Sequence, residues 1–75
     1  VRSVQRRFLR ATGLTHGAIL QIKRAQNAVA LLRQGWSILD TVYEAGYADQ
    51  PHLTRSLRRF IGTTPAQIAR EAVAV

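Results

Sequence analysis

The chain has no cysteine, two prolines, two histidines and four acidic residues against eleven basic ones in 75 positions. Each shortage removes a class of explanation. Without cysteine there is no disulfide staple and no thiolate metal site. His16 and His52 alone do not make a structural zinc centre. Four carboxylates and two histidines fall into no spacing that would pair a nucleophile with a base or gather metal ligands, so no enzymatic activity and no cofactor are expected. No apolar run approaches the roughly 18 residues needed to span a bilayer. The opening VRSVQRRFLR lacks the apolar stretch of a signal peptide. It also has no initiator methionine and no helix cap, which reads as a fragment of a longer, intracellular protein. Strand alternation and low-complexity segments are missing as well.

What is present is globular and basic. Hydrophobic residues make up 47% of the chain, enough for a thin core in one small domain. The net charge is +7, and ten of the eleven basic residues are arginine. Arginine's fork of donors suits phosphates and guanine edges better than lysine's point charge. The balance favours a polyanion: DNA, RNA or an acidic membrane surface. A membrane role would want one long helix with its basic residues along one face, whereas here they are divided between two short helical patterns.

Hydrophobic periodicity predicts helices throughout. Over residues 2–12, Val4, Phe8 and Ala11 form a stripe with Arg2, Arg6 and Arg10 opposite, and Gly13 stops the helix. A longer helix over residues 15–33, capped by Thr15, buries Ile19, Ile22, Val29, Leu31 and Leu32, with Ala25 and Ala28 permitting close approach. Its ~19 residues give a rod of about 28 Å. Residues 37–45 form a third helix, with Ser37 as cap, Asp40 in the first turn and Ile38, Val42 and Ala45 inward. After Gly46, Tyr47 is expected to plug the gap before a fourth helix over residues 50–60. Asp49 caps that helix, Pro51 falls in its first turn, and Leu53, Leu57 and Phe60 face inward. Arg55 then points away from the core, flanked by His52, Arg58 and Arg59. A last short helix opens with the capping box Thr64-Pro65-Ala66-Gln67, is anchored by Ile68, and is expected to fray after about Glu71.

Two helices joined by a tight glycine turn, the second basic on its outer side, have the form of a helix-turn-helix. A weak repeat supports a pair of such units. Ser3-Val4-Gln5-Arg6-Arg7-Phe8, followed by Gly13, echoes His52-Leu53-Thr54-Arg55-Ser56-Leu57, followed by Gly62.

The pattern Gly46-Tyr47-Ala48-Asp49-Gln50, then His52-Leu53-Thr54-Arg55, Arg58-Arg59-Phe60 and Gly62-Thr63-Thr64-Pro65, resembles the signature of AraC/XylS-type transcriptional regulators. Arg24, Ala28, Leu31-Leu32, Gly35, Ser37-Ile38 and the segment from Ser3 to Phe8 match that family's spacing too. The resemblance implies an all-α, homeodomain-like helix-turn-helix bundle. Residues 1–14 would be the remnant of a first unit, 15–34 a linker helix, and 35–75 a complete second unit with a C-terminal helix. It implies a cytoplasmic bacterial regulator that binds double-stranded DNA, with recognition helices in successive major grooves. RNA polymerase is a candidate further partner, and effector binding and dimerisation would belong to an N-terminal domain. By position, Arg2, Gln5 and Arg6 of the first reader and Gln50, His52 and Arg55 of the second would meet base edges. Arg10, Thr54, Arg58 and Arg59 would meet phosphates. Pro51 departs from the polar residue more usual there.

Several of these residues have plainer competing roles. An arginine on an outward helix face is also an ordinary solvated charge. Arg24 reads as the donor of an internal salt bridge or cap, Asp40 and Asp49 as helix caps, and Trp36 as a lid over a helix junction. A helical protein-interaction module, using the amphipathic helix over residues 15–33, is the alternative function.

Overall fold

The computed structural model describes residues 15–73, which form four α-helices and no strand. They are α1 (His16–Arg33), α2 (Ile38–Ala45), α3 (Gln50–Phe60) and α4 (Pro65–Val73). The expected all-α class holds for these residues. The helix expected over residues 2–12, with its stop at Gly13, lies outside them.

The long helix α1 packs against each of the other three. Thr15 caps it, its hydroxyl accepting from the Ala18 N–H at 3.1 Å. Ala25, Ala28, Val29 and Leu32 are its buried residues, at the i, i+3, i+4, i+7 spacing of one helical stripe. Two alanines in that stripe let neighbouring helices come close. Ile19, Ile22 and Leu31 were expected to share the buried surface, but they are only half-buried. The core therefore sits toward the C-terminal half of α1, where Val42 of α2, Leu53 and Leu57 of α3, Ile68 of α4 and the turn residue Tyr47 complete it.

The helices stop where glycine permits. Gly35 takes φ 95°, and the N–H groups of Gly35 and Trp36 donate to the carbonyls of Leu32 and Leu31, both at 3.1 Å. This is a Schellman closure. The same pair of bonds closes α2: Gly46 (φ 86°) donates to Tyr43 at 3.3 Å, and Tyr47 to Val42 at 2.9 Å. Any L-residue at these two positions would face roughly 1–2 kcal/mol of backbone strain. Trp36, expected as a lid over a helix junction, is 39% exposed.

The start of α4 differs from the expected capping box, and its end lies slightly further on. The capping box is half formed: the Gln67 N–H donates to Thr64 Oγ1 at 3.2 Å, while the Gln67 side-chain oxygen accepts instead from the Thr63 hydroxyl at 3.2 Å. The segment, expected to fray after about Glu71, is helical to Val73. Pro65 and Ile68 are buried, with Ala69 and Ala72 half-buried, at i, i+3, i+4 and i+7, so the packing stripe runs a turn further than the large apolar residues indicate.

Leu57 is fully buried, whereas Leu39 is 60% exposed. Leu57→Ala is therefore expected to cost about 2–5 kcal/mol of stability, and Leu39→Ala to stay within roughly 0.5 kcal/mol of the parent. Urea unfolding of both variants measures the difference, and equal losses would contradict the burial pattern.

Candidate nucleic-acid interface

The surface of interest is the outer side of α3, and it is built by the turn before it. Asp49 has an extended backbone, and its carboxylate accepts from the His52 N–H at 2.8 Å. A carboxylate at this position caps the helix and meets the positive end of its dipole. Pro51 in the first turn gives up an N–H that would have had no intrahelical partner. Leu53 and Leu57 then fix which side is inward, since both are fully buried and Phe60 packs half-buried beside them.

Arg55 lies two residues from each buried leucine, which places it roughly 160° away from both around the helix. It is exposed, as are Gln50, Pro51, Arg58 and Arg59, while His52 and Thr54 are half-buried. The guanidinium of Arg59 lies 5.1 Å from the Phe60 ring centroid. No acidic residue occurs within α3, so its three arginines form an outer face of one sign. Of the candidate residues, Arg55, Arg58 and Arg59 thus share an accessible face, with His52 and Thr54 at its margins, whereas Gln50 is exposed at the first position of the helix, about 140° around it from Arg55. Arg2, Gln5, Arg6 and Arg10 lie outside the described residues.

Tyr47 was expected as a plug, and it is buried. Its hydroxyl also shares a 2.8 Å hydrogen bond with Ser56 Oγ, and its ring meets the His52 ring edge-on, 5.1 Å between centroids at 87°. From the opposite helix, the Arg24 guanidinium lies 5.7 Å from the Tyr47 centroid. Arg24 thus engages an aromatic ring instead of the salt bridge or cap that its sequence position suggested. His52 Nδ1 stands 3.5 Å from the Ala48 N–H, a long hydrogen bond that helps fold the turn. The Ser56–Tyr47 pair was missed because a serine among arginines reads as solvated. The available signal was its helical angle, which puts Ser56 on the edge of the Leu53–Phe60 stripe.

Elsewhere the polar groups are satisfied locally. Thr41, fully buried, donates to the Ser37 carbonyl at 2.8 Å, and Ser37 Oγ caps α2 by accepting from the Asp40 N–H at 3.0 Å. Among the described residues no side-chain polar atom is buried without a partner, and no three His, Asp or Glu side chains gather as metal ligands would. Nor is any described helix long and apolar enough to cross a membrane.

The chain matches the family model described as a helix-turn-helix domain over residues 1–71. It is similar to the HTH-type transcriptional regulator VirS of Mycobacterium tuberculosis, 42% identical over 67 residues, covering 88% of this chain and 19% of that protein. It is also similar to the HTH-type transcriptional regulator RipA of Corynebacterium glutamicum, 35% identical over 65 residues, covering 87% of this chain and 20% of that protein. The chain spans about a fifth of the length of these relatives. No solved structure matches it.

Replacing Asp49 by Ala removes the cap of α3 and is expected to cost about 0.5–2 kcal/mol. The loss should appear in thermal unfolding, and Asp49→Asn should recover most of it. A variant as stable as the parent would mean that the cap contributes nothing.

Proposed function

The chain belongs to the AraC-type helix-turn-helix family, and from that premise we propose that it is a sequence-specific, double-stranded DNA-binding domain of a bacterial transcriptional regulator. The observation that carries this reading is the outer face of α3. Arg55, Arg58 and Arg59 are exposed there on a capped, firmly packed helix that has no acid of its own, and Gln50 is exposed at its first position. In this reading α3 enters a major groove, with Arg55 able to pair bidentately with guanine and Gln50 with adenine. His52 and Thr54 approach from the rim. Arg58 and Arg59 hold phosphates, which set register without reading sequence.

Residues 1–14 then supply the first reader, through Arg2, Gln5 and Arg6 at base edges, with Arg10 on phosphate. The 18 residues of α1 are the spacer. At 1.5 Å per residue they span about 27 Å, close to the ~34 Å that separates grooves on one face of the duplex once the flanking turns are added. Effector recognition and dimerisation fall to other parts of a longer protein, with RNA polymerase as a further partner.

A helical interaction module is the second reading. The sequence placed it on the helix over residues 15–33, but that helix packs against the other three, and the more exposed apolar residues are Leu39 and Tyr43 of α2, at 60% and 73% beside Asp40 and Glu44. The two readings occupy different helices, and only the first accounts for the excess of arginine.

If about six phosphates are neutralised, log K should fall with log salt at a slope near −5. Arg55→Ala should cost about 1–3 kcal/mol on the preferred site and relax choice at one base position. Selection from random duplexes with the full-length protein, followed by anisotropy titrations, measures both. Equal affinity for every duplex would reduce the function to nonspecific binding. Unchanged site preference in Arg55→Ala would remove Arg55 as a reader.

A further inference from the structure

We propose that Arg24 is a DNA-backbone contact, held in place by the face of Tyr47. The assignment rests on the DNA-binding reading above and adds to it a residue from outside the helix-turn-helix. Arg24 belongs to α1, 28 positions before His52, and by sequence alone nothing links the two. In the structure one ring joins them. The Arg24 guanidinium lies 5.7 Å from the Tyr47 centroid, and the Tyr47 ring meets His52, in the first turn of α3, at 5.1 Å. A recognition helix presents its N-terminal residues to the groove. The stack therefore carries a cation of the long helix to the reading end of α3.

Three properties suit this group to a phosphate. Arg24 is exposed. Its guanidinium is planar, so it can lie against an aromatic ring while its edge N–H groups remain available to an anion, which a lysine ammonium does less well. Its platform is also fixed, because Tyr47 is buried and its hydroxyl is tied to Ser56 at 2.8 Å. A cation seated on a rigid surface before binding loses less side-chain freedom on binding than a free one. Such a contact does not read bases. It sets the angle at which α1 and α3 meet the backbone together.

The test uses the full-length protein and Arg24→Gln, with Arg24→Lys as a charge-retaining companion, on the preferred duplex and on an unrelated one. Arg24→Gln should weaken binding to both duplexes by the same factor and make the salt slope shallower by about 0.9. Between about 50 and 200 mM salt, the parent's affinity should accordingly fall roughly 3.5-fold more than the variant's. Arg24→Lys should keep the parent's slope. A parent slope retained by Arg24→Gln overturns the assignment. A lowered melting temperature with that slope unchanged also overturns it, because Arg24 would then only brace the fold. If the parent binds no duplex, the DNA reading itself fails and takes this assignment with it. A parent that binds specifically, with Arg24→Gln equal to it in affinity and slope, removes the assignment alone.

Discussion

The outward face of α3 is defined by its inward one. Leu53 and Leu57, four residues apart on one side of the helix, are fully buried in a cluster with Leu32 and Ala28 of α1 and Ile68 of α4. With those two leucines seated, rotation of α3 about its axis is fixed, and the direction of Arg55 follows. A rotation by one residue would swing the helix by about 100°, exposing a leucine and driving an arginine toward apolar side chains. Burying an unpaired guanidinium costs far more than this small core could offset. The arginines are thus held outward by the interior as much as by their own hydration.

Charge is partitioned by helix in the same way. α3 carries Arg55, Arg58 and Arg59 with no acid, whereas α2, the other helix of the pair, carries Asp40 and Glu44 and no base. Both acids are exposed, while Thr41 and Val42 are the buried residues of α2. A chain of net charge +7 with only four acids has concentrated two of them on one exposed helix. The consequence is a dipolar surface, attractive to a polyanion along α3 and repellent along α2. In the proposed reading, such a surface biases orientation on a duplex before any base is touched.

Most of the described architecture could be read from the chain because its punctuation is local. Thr15, Ser37 and Asp49 each cap through a hydrogen bond to a residue three positions on, and Gly35 and Gly46 each close a helix through bonds within five residues. Short-range rules of this kind involve no knowledge of the fold. What escaped was set by tertiary packing. Ile19, Ile22 and Leu31 have the right period yet remain half-buried, because periodicity gives the face of a helix and not where along it a neighbour lies. The extension of α4 to Val73 depends on alanines, whose small size hides a packing stripe. At the interface, exposure of Arg55, Arg58 and Arg59 followed from helical angle alone. The Arg24–Tyr47–His52 stack did not, since it joins residues that only the fold brings together.

Tyr47 shows how a small domain makes a recognition surface definite with modest forces. A neutral hydrogen bond contributes about 0.5–1.5 kcal/mol, an edge-on aromatic pair about the same, and a solvated cation–π contact roughly 0.5–1 kcal/mol. None of these would hold two helices in register alone. They converge on a single ring, which sits in the turn between α2 and α3 and faces α1. A displacement of α3 that breaks one contact therefore strains the other two, and the contributions reinforce each other instead of acting independently. Orientation of α3 is governed by that junction and by the two leucines beneath it. In the proposed reading, sequence preference thus depends also on residues that touch no base, and the turn acts together with the arginines beyond it.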